Sequence, residues 1–110
     1  MKKLLSIILV IFLLSGCGLL AQENILDARE DLKDSEYKDA LKSLDSVESD
    51  VEDMVPDQKG EYYILRARAL HGLERYEEAI YCLNAILKQN PDSLFEAQAK
   101  ALLGKWKQYQ

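Results

Sequence analysis

Proline and glycine are scarce in this chain, 2 and 5 residues in 110, and these are the residues that most strongly interrupt helices. Ala, Leu, Glu, Lys and Gln fill much of the remainder, so the composition predicts an all-α protein. Cysteine is limited to Cys17 and Cys82, too few for the multi-bridge framework of a small disulfide-rich domain. Basic residues are in deficit, 14 Lys and Arg against 19 Asp and Glu, for a formal charge of -5. That balance argues against a general attraction to nucleic-acid phosphates. Catalytic motifs are missing too: there is no HExxH, GxSxG, CxxC or glycine-rich phosphate loop. Cys82 and the single histidine, His71, could in principle form a nucleophile and base, but nothing supplies an oxyanion hole or an orienting third group. The acidic stretch from Glu48 to Met54 lacks the glycine turn and distal glutamate of a calcium loop and reads as a solvated helical face. No enzyme activity, metal or cofactor is therefore expected.

The one long apolar run stands at the N-terminus, where Lys2 and Lys3 precede eleven positions from Leu4 to Leu14 interrupted only by Ser6, followed by small residues. This is the three-part layout of a secretory signal. Extended to Leu20 the run reaches 17 residues with Ser15, Gly16 and Gly18 inside it, slightly short of the ~20 that span a bilayer. Two readings stand, a cleaved signal or an uncleaved anchor in which Cys17 is an ordinary apolar residue. Both place the remainder outside the cytoplasm. Leu14-Ser15-Gly16-Cys17 resembles the lipobox of bacterial lipoproteins, in which the signal is cut before the cysteine and that cysteine is lipidated. The resemblance implies a signal peptide over 1–16, and a lipidated Cys17 with a tether over 17–24. It also implies stable attachment through several acyl chains. It leaves Cys82 without a partner in the chain, most simply as a buried thiol. Gly18 in place of an aspartate implies the outer membrane, facing the periplasm, for a Gram-negative source. Loss of Lys2 and Lys3 leaves 12 basic against 19 acidic side chains, a body repelled by anionic head groups.

Beyond the tether, Ile25–Leu32 has the spacing of a brief helix. Tyr37, Ala40, Leu41, Leu44, Val47, Val51 and Val55 then form one amphipathic stripe that Pro56 ends, which predicts a single long helix. A further helix is expected over Gln58–His71, closed by Gly72. Tyr76, Ala79, Ile80, Leu83, Ile86 and Leu87 mark the next, closed by Asn90-Pro91. Ser93 and Glu96 have the spacing of a capping box for a last helix from Leu94 to about Lys107.

Two of these stripes share one pattern. The segments "SEYKDALKSL" and "ERYEEAIYCL" align without gaps, pairing Tyr37 with Tyr76 and Ala40 with Ala79 at a separation of 39 residues. From Gly60 to Ser93 the chain resembles one tetratricopeptide repeat, with Tyr63, Ala67, Ala69, Tyr76, the Glu78-Ala79 pair, Leu83 and Pro91 in place. Arg66 stands where that family usually has an apolar residue, and Glu74 where its turn usually has glycine. The resemblance implies antiparallel helix pairs in a short TPR-like α-solenoid over 25–110, with a divergent repeat before the complete one. Leu94–Gln110 would be the first helix of another, with Ala101 at the close-packing position.

In that family the first helix of each unit lines a concave groove. Here the matching positions are Glu61, Ile64, Arg68 and His71, joined by Gln98, Leu102, Lys105 and Trp106 of the last helix. The resemblance thus implies a protein partner, an extended peptide or a helix. Ile64 and Trp106 would be its apolar anchors, and Arg68 or Lys105 would take a carboxylate. The competing reading is that Phe95, Leu102 and Trp106 merely cap the core. Repeat arrays gain stability from about three stacked units, and this chain offers fewer, so a partner or a second copy forming a homodimer could cover the last helix. The implied functions are a membrane-anchored adaptor at the cell envelope or an assembly or transport factor for a pilus, secretion or outer-membrane complex.

Overall fold

The computed structural model describes residues 21–89 and 94–107. The apolar run, Cys17, Pro91 and Ser93 lie outside the described residues. Every regular element among those described is helical: α1 (21–33), α2 (Tyr37–Asp45), a 3-10 segment (Glu48–Asp53), α3 (Pro56–Gly72), α4 (Tyr76–Gln89) and α5 (Leu94–Lys107). None of these helices is long and apolar enough to cross a membrane. Helix α1 is already formed at Ala21, four residues before its expected start. Pro56 both closes the preceding segment and opens α3, where its missing N–H is one of the orphans of the first turn.

The single long helix expected over Tyr37–Val55 is broken. Helix α2 stops at Asp45, the Ser46 hydroxyl donates back to the Lys42 carbonyl at 3.0 Å, and the chain tightens into the 3-10 segment. That segment, ESDVED, carries four acidic residues in six, and their mutual repulsion, with the weak helix propensity of Ser49, Asp50 and Asp53, offsets the pull of the apolar stripe. Val47 and Val51 remain buried at 2% and 6% exposure, so the stripe keeps its inward direction while the backbone changes type.

The 39-residue step reappears in the backbone. Helix α1 ends with Ser35 in the left-handed region at φ 59°, and α3 ends with Glu74 there at φ 63°. At the first turn the Glu36 N–H donates to the Asp31 carbonyl at 2.8 Å and the Ser35 N–H to Leu32 at 3.2 Å. At the second, the Arg75 N–H donates to Leu70 at 2.9 Å and the Glu74 N–H to His71 at 3.0 Å. Each pair is a Schellman cap that satisfies carbonyls left over at the helix end. Such a three-residue turn returns the chain antiparallel to the helix it leaves. Burial follows the same step: Ala28 and Ala67, Ala40 and Ala79, and Leu44 and Leu83 are all fully enclosed.

Helix α3 is the hub, packed most extensively against α4 and then against α2 and α5, while α4 also meets α5. Among the described residues the buried side chains form one hydrophobic cluster without a buried polar residue. Glycines mark two close approaches. A Cβ on Gly72 would lie 2.4 Å from two ring carbons of Tyr37, and one on Gly60 would lie 2.4 Å from the Phe95 ring. Tyr37 therefore seats α2 on the end of α3, and Phe95 seats α5 on its start. In α5 the enclosed alanine is Ala99, at 0% exposure, while Ala101 faces outward. Ala99 stands 39 residues after Gly60, itself 39 after the buried Ala21, whereas the residue 39 after the close-packing Ala67 is the buried Trp106. Arg66 is accommodated by pairing with Asp45 at 2.5 Å, at the last residue of α2, where a cation also meets the negative end of the helix dipole.

Candidate functional site

The C-terminal end of α3, the start of α4 and the end of α5 enclose an open cleft of about 800 Å³. Arg68 and His71 enter it from one α3 face, three residues apart. Leu102, Lys105 and Trp106 enter from α5 with the i, i+3, i+4 spacing that puts side chains on a common stripe. Of the eight groove positions expected, these five meet here. The other three do not. Glu61 pairs with Arg29 of α1 and lines a different cleft. Ile64 is 4% exposed within the core. Gln98 is half-buried and is not part of this lining.

Aromatic rings shape the cleft. The His71 ring stacks on Trp106 with centroids 4.1 Å apart and planes 12° from parallel, and Tyr76 meets His71 edge-on at 5.1 Å. Trp106 is only 7% exposed, so its indole supports His71 from within the core and offers a partner little surface. Leu102 keeps a half-buried apolar surface in the lining, and Tyr76 is 42% exposed at the cleft. Burial and then the neighbouring Lys105 ammonium hold the His71 pKa below its usual value. At neutral pH the positive charge of the cleft therefore comes from Arg68 and Lys105.

Arg68 stands out among the arginines, whereas Lys105 is one of six described lysines outside the ion pairs, with Lys38, Lys42, Lys59, Lys88 and Lys107. Arg29 pairs with Glu61, Arg66 with Asp45 and Arg75 with Glu78. Among the described residues Arg68 alone of the four arginines has no carboxylate partner, and Lys105 has none either. Two cations outside any ion pair, beside apolar and aromatic surface, have the chemistry to pair with an anionic group that has an apolar neighbour.

Sequence reasoning did not place Leu32, Tyr37 and Ile80 in this cleft, although all three line it. The period held the signal for one of them, since Leu32 is the repeat equivalent of His71, while Tyr76, the equivalent of Tyr37, also lines the cleft without being an expected groove position.

Cys82 and His71 do not share a site, since Cys82 lines a second cleft on the side of Tyr62, Tyr63 and Arg66. Burial pushes the Cys82 thiol up to about 11 against the opposing effect of Arg66, the reverse of what an activated nucleophile requires. Burial likewise raises the Tyr62 phenol to about 12. Among the described residues no group of three or more His, Cys, Asp or Glu side chains could hold a metal ion. Neither the scan against protein-family models nor the searches of curated proteins and of solved structures returned a match.

Proposed function

We propose that the chain is a lipid-anchored, TPR-like interaction module at the cell envelope. Cys17 fixes it to the membrane, and the cleft between α3, α4 and α5 takes a carboxylate-bearing, partly apolar segment of a protein partner. The observation that carries the binding part is the presence of two unpaired cations, Arg68 and Lys105, beside Leu102 and Tyr76 in one cleft of an otherwise acidic chain. Support for the repeat comes from the 39-residue recurrence of sequence, caps and enclosed alanines. Support for the anchor comes from the lipobox at the end of the apolar run. The partner's carboxylate would pair with Arg68 or Lys105 while an adjacent apolar side chain lies against Leu102 and the Tyr76 ring. Truncating one side of such a charged contact typically costs a complex about 2–5 kcal/mol when the pair is buried.

A photo-crosslinking residue in place of the exposed Tyr76, used in native membranes, tests this reading. A discrete adduct that disappears with Arg68→Ala and Lys105→Ala, while the helical circular dichroism is unchanged, is the expected result. An adduct indifferent to both substitutions would remove the cleft from the function.

A further inference from the structure

Among the described residues the large apolar side chains left exposed are Leu26, Val55, Tyr76, Tyr81 and Leu94. Single exposed apolar residues need no explanation, but a cluster does. Leu26, Val55 and Leu94, at 43%, 62% and 74% exposure, come from three separate segments and border one cleft over Ile25 and Phe95. They gather because the first described turns of α1 and the starts of α3 and α5 lie at the same end of the molecule: Val55 immediately precedes α3 and Leu94 is the first residue of α5. The lining of this cleft carries little net charge, with the exposed Glu23, Asp27 and Asp53 on the flanking segments. Arg29 and Glu61 neutralise each other, which leaves Asp57 as the remaining charge of the lining.

The described chain also begins at this end. Gln22, Ile25, Leu26 and Arg29 share one face of α1, and that face borders the patch. Four peptide steps separate Ala21 from Cys17, at most about 14 Å when fully extended. Leu26 lies five residues into the helix, about 7.5 Å further. The head-group layer of one leaflet is about 5–7 Å thick, so an anchor at Cys17 keeps Leu26 within about 22 Å of the lipid and a tether that folds back brings the patch onto it.

We infer that this end of the molecule is a membrane-docking face, with Leu26, Val55 and Leu94 entering the interface of the bilayer that holds Cys17. The inference rests on acylation of Cys17 as proposed above. Docked this way, the body stands on the starts of its odd-numbered helices instead of swinging on its tether. The Arg68–Lys105 cleft, at the far end of α3, is then held about 20 Å from the patch and open to a partner.

The test uses the protein extracted from native membranes and reconstituted in phosphatidylcholine vesicles, with an environment-sensitive fluorescent amino acid in place of Leu94 or, as the reference, Tyr81, which is 75% exposed and lies outside the patch. Severalfold stronger quenching by bromolipid at position 94 than at position 81, together with shielding of position 94 from aqueous iodide, is expected. The exposed Val55→Asp substitution should abolish that difference. Equal iodide quenching at both positions overturns the inference. So does shielding of position 94 from both quenchers, which would show the patch covered by a second copy. The intact mass of the same sample separates the failures: without acyl mass at Cys17 both readings fall, and with acyl mass and an iodide-open position 94 only the docking face falls.

Discussion

Replacing Gly72 by alanine tests whether Tyr37 seats the first helix pair on the second. The new Cβ would lie 2.4 Å from Tyr37 Cδ1 and Cε1 and 2.6 Å from Cγ, where carbon atoms ordinarily rest ~3.5–4.0 Å apart. The ring must retreat by about 1 Å. Overpacking of this kind costs about 1–3 kcal/mol, and the better helix propensity of alanine, at most ~1 kcal/mol in a helix interior, is reduced at the last helical residue. A net loss of about 1–2 kcal/mol follows, which for a domain of this size lowers Tm by roughly 5–15 °C. Gly104→Ala is the control, since a Cβ there meets nothing within 4 Å, and it should stabilise by up to about 1 kcal/mol. Urea or thermal unfolding followed by circular dichroism measures both. In a Tyr37→Ala background the penalty of Gly72→Ala should vanish, giving a coupling of about 1–2 kcal/mol in the double-mutant cycle. If Gly72→Ala stabilises as Gly104→Ala does, or if the two sites prove additive, Tyr37 does not seat α2 on α3.

Three further outcomes follow from the same geometry. Glu74→Gly should raise stability by about 0.5–1 kcal/mol, because relief of a left-handed L-residue outweighs the entropy of glycine; a loss in denaturant unfolding would contradict the cap described for α3. By proton NMR, His71 should titrate below 6.5 and move upward in Lys105→Ala. Because its folded pKa is depressed, its contribution to stability is present above 6.5 and is lost as the pH falls through the folded value. Cys82 should resist alkylation near neutral pH in the folded protein and react readily in denaturant. With its folded pKa raised from 9.0 to about 11, the chain should lose up to about 3 kcal/mol as pH rises through that window, the neutral thiol being favoured only in the folded state. Alkaline stability unchanged by Cys82→Ala would contradict that linkage.

Helix type and most borders were legible because they depend on local signals. Pro56 at a first turn and the spacing of Tyr76, Ala79 and Leu83 carry the same meaning in any context. The break at Asp45 was not legible from periodicity, since Val47 and Val51 continue the apolar stripe through the 3-10 segment and only the density of acidic residues opposes it. Ala101 follows from Ala67 by the family period, but the enclosed alanine of α5 is Ala99, two residues earlier, because the packing of α5 on α3 sets which face is buried. The cleft shows the same division. Arg68, His71, Leu102, Lys105 and Trp106 follow from helical spacing on two elements, but periodicity does not tell a buried face from an open one. Ile64 and Trp106 are therefore core residues although they occupy groove positions. Arg66 is tolerated only because Asp45, 21 residues earlier, lies beside it, a relation that tertiary packing creates.

The anchoring at Cys17 underlies both the proposed module and its docking face, and the intact mass of the chain extracted from native membranes tests it most directly. A mature chain that has lost residues 1–16 and carries acyl groups on Cys17 is the expected result. A chain that retains Met1 and has no added acyl mass would contradict the anchor.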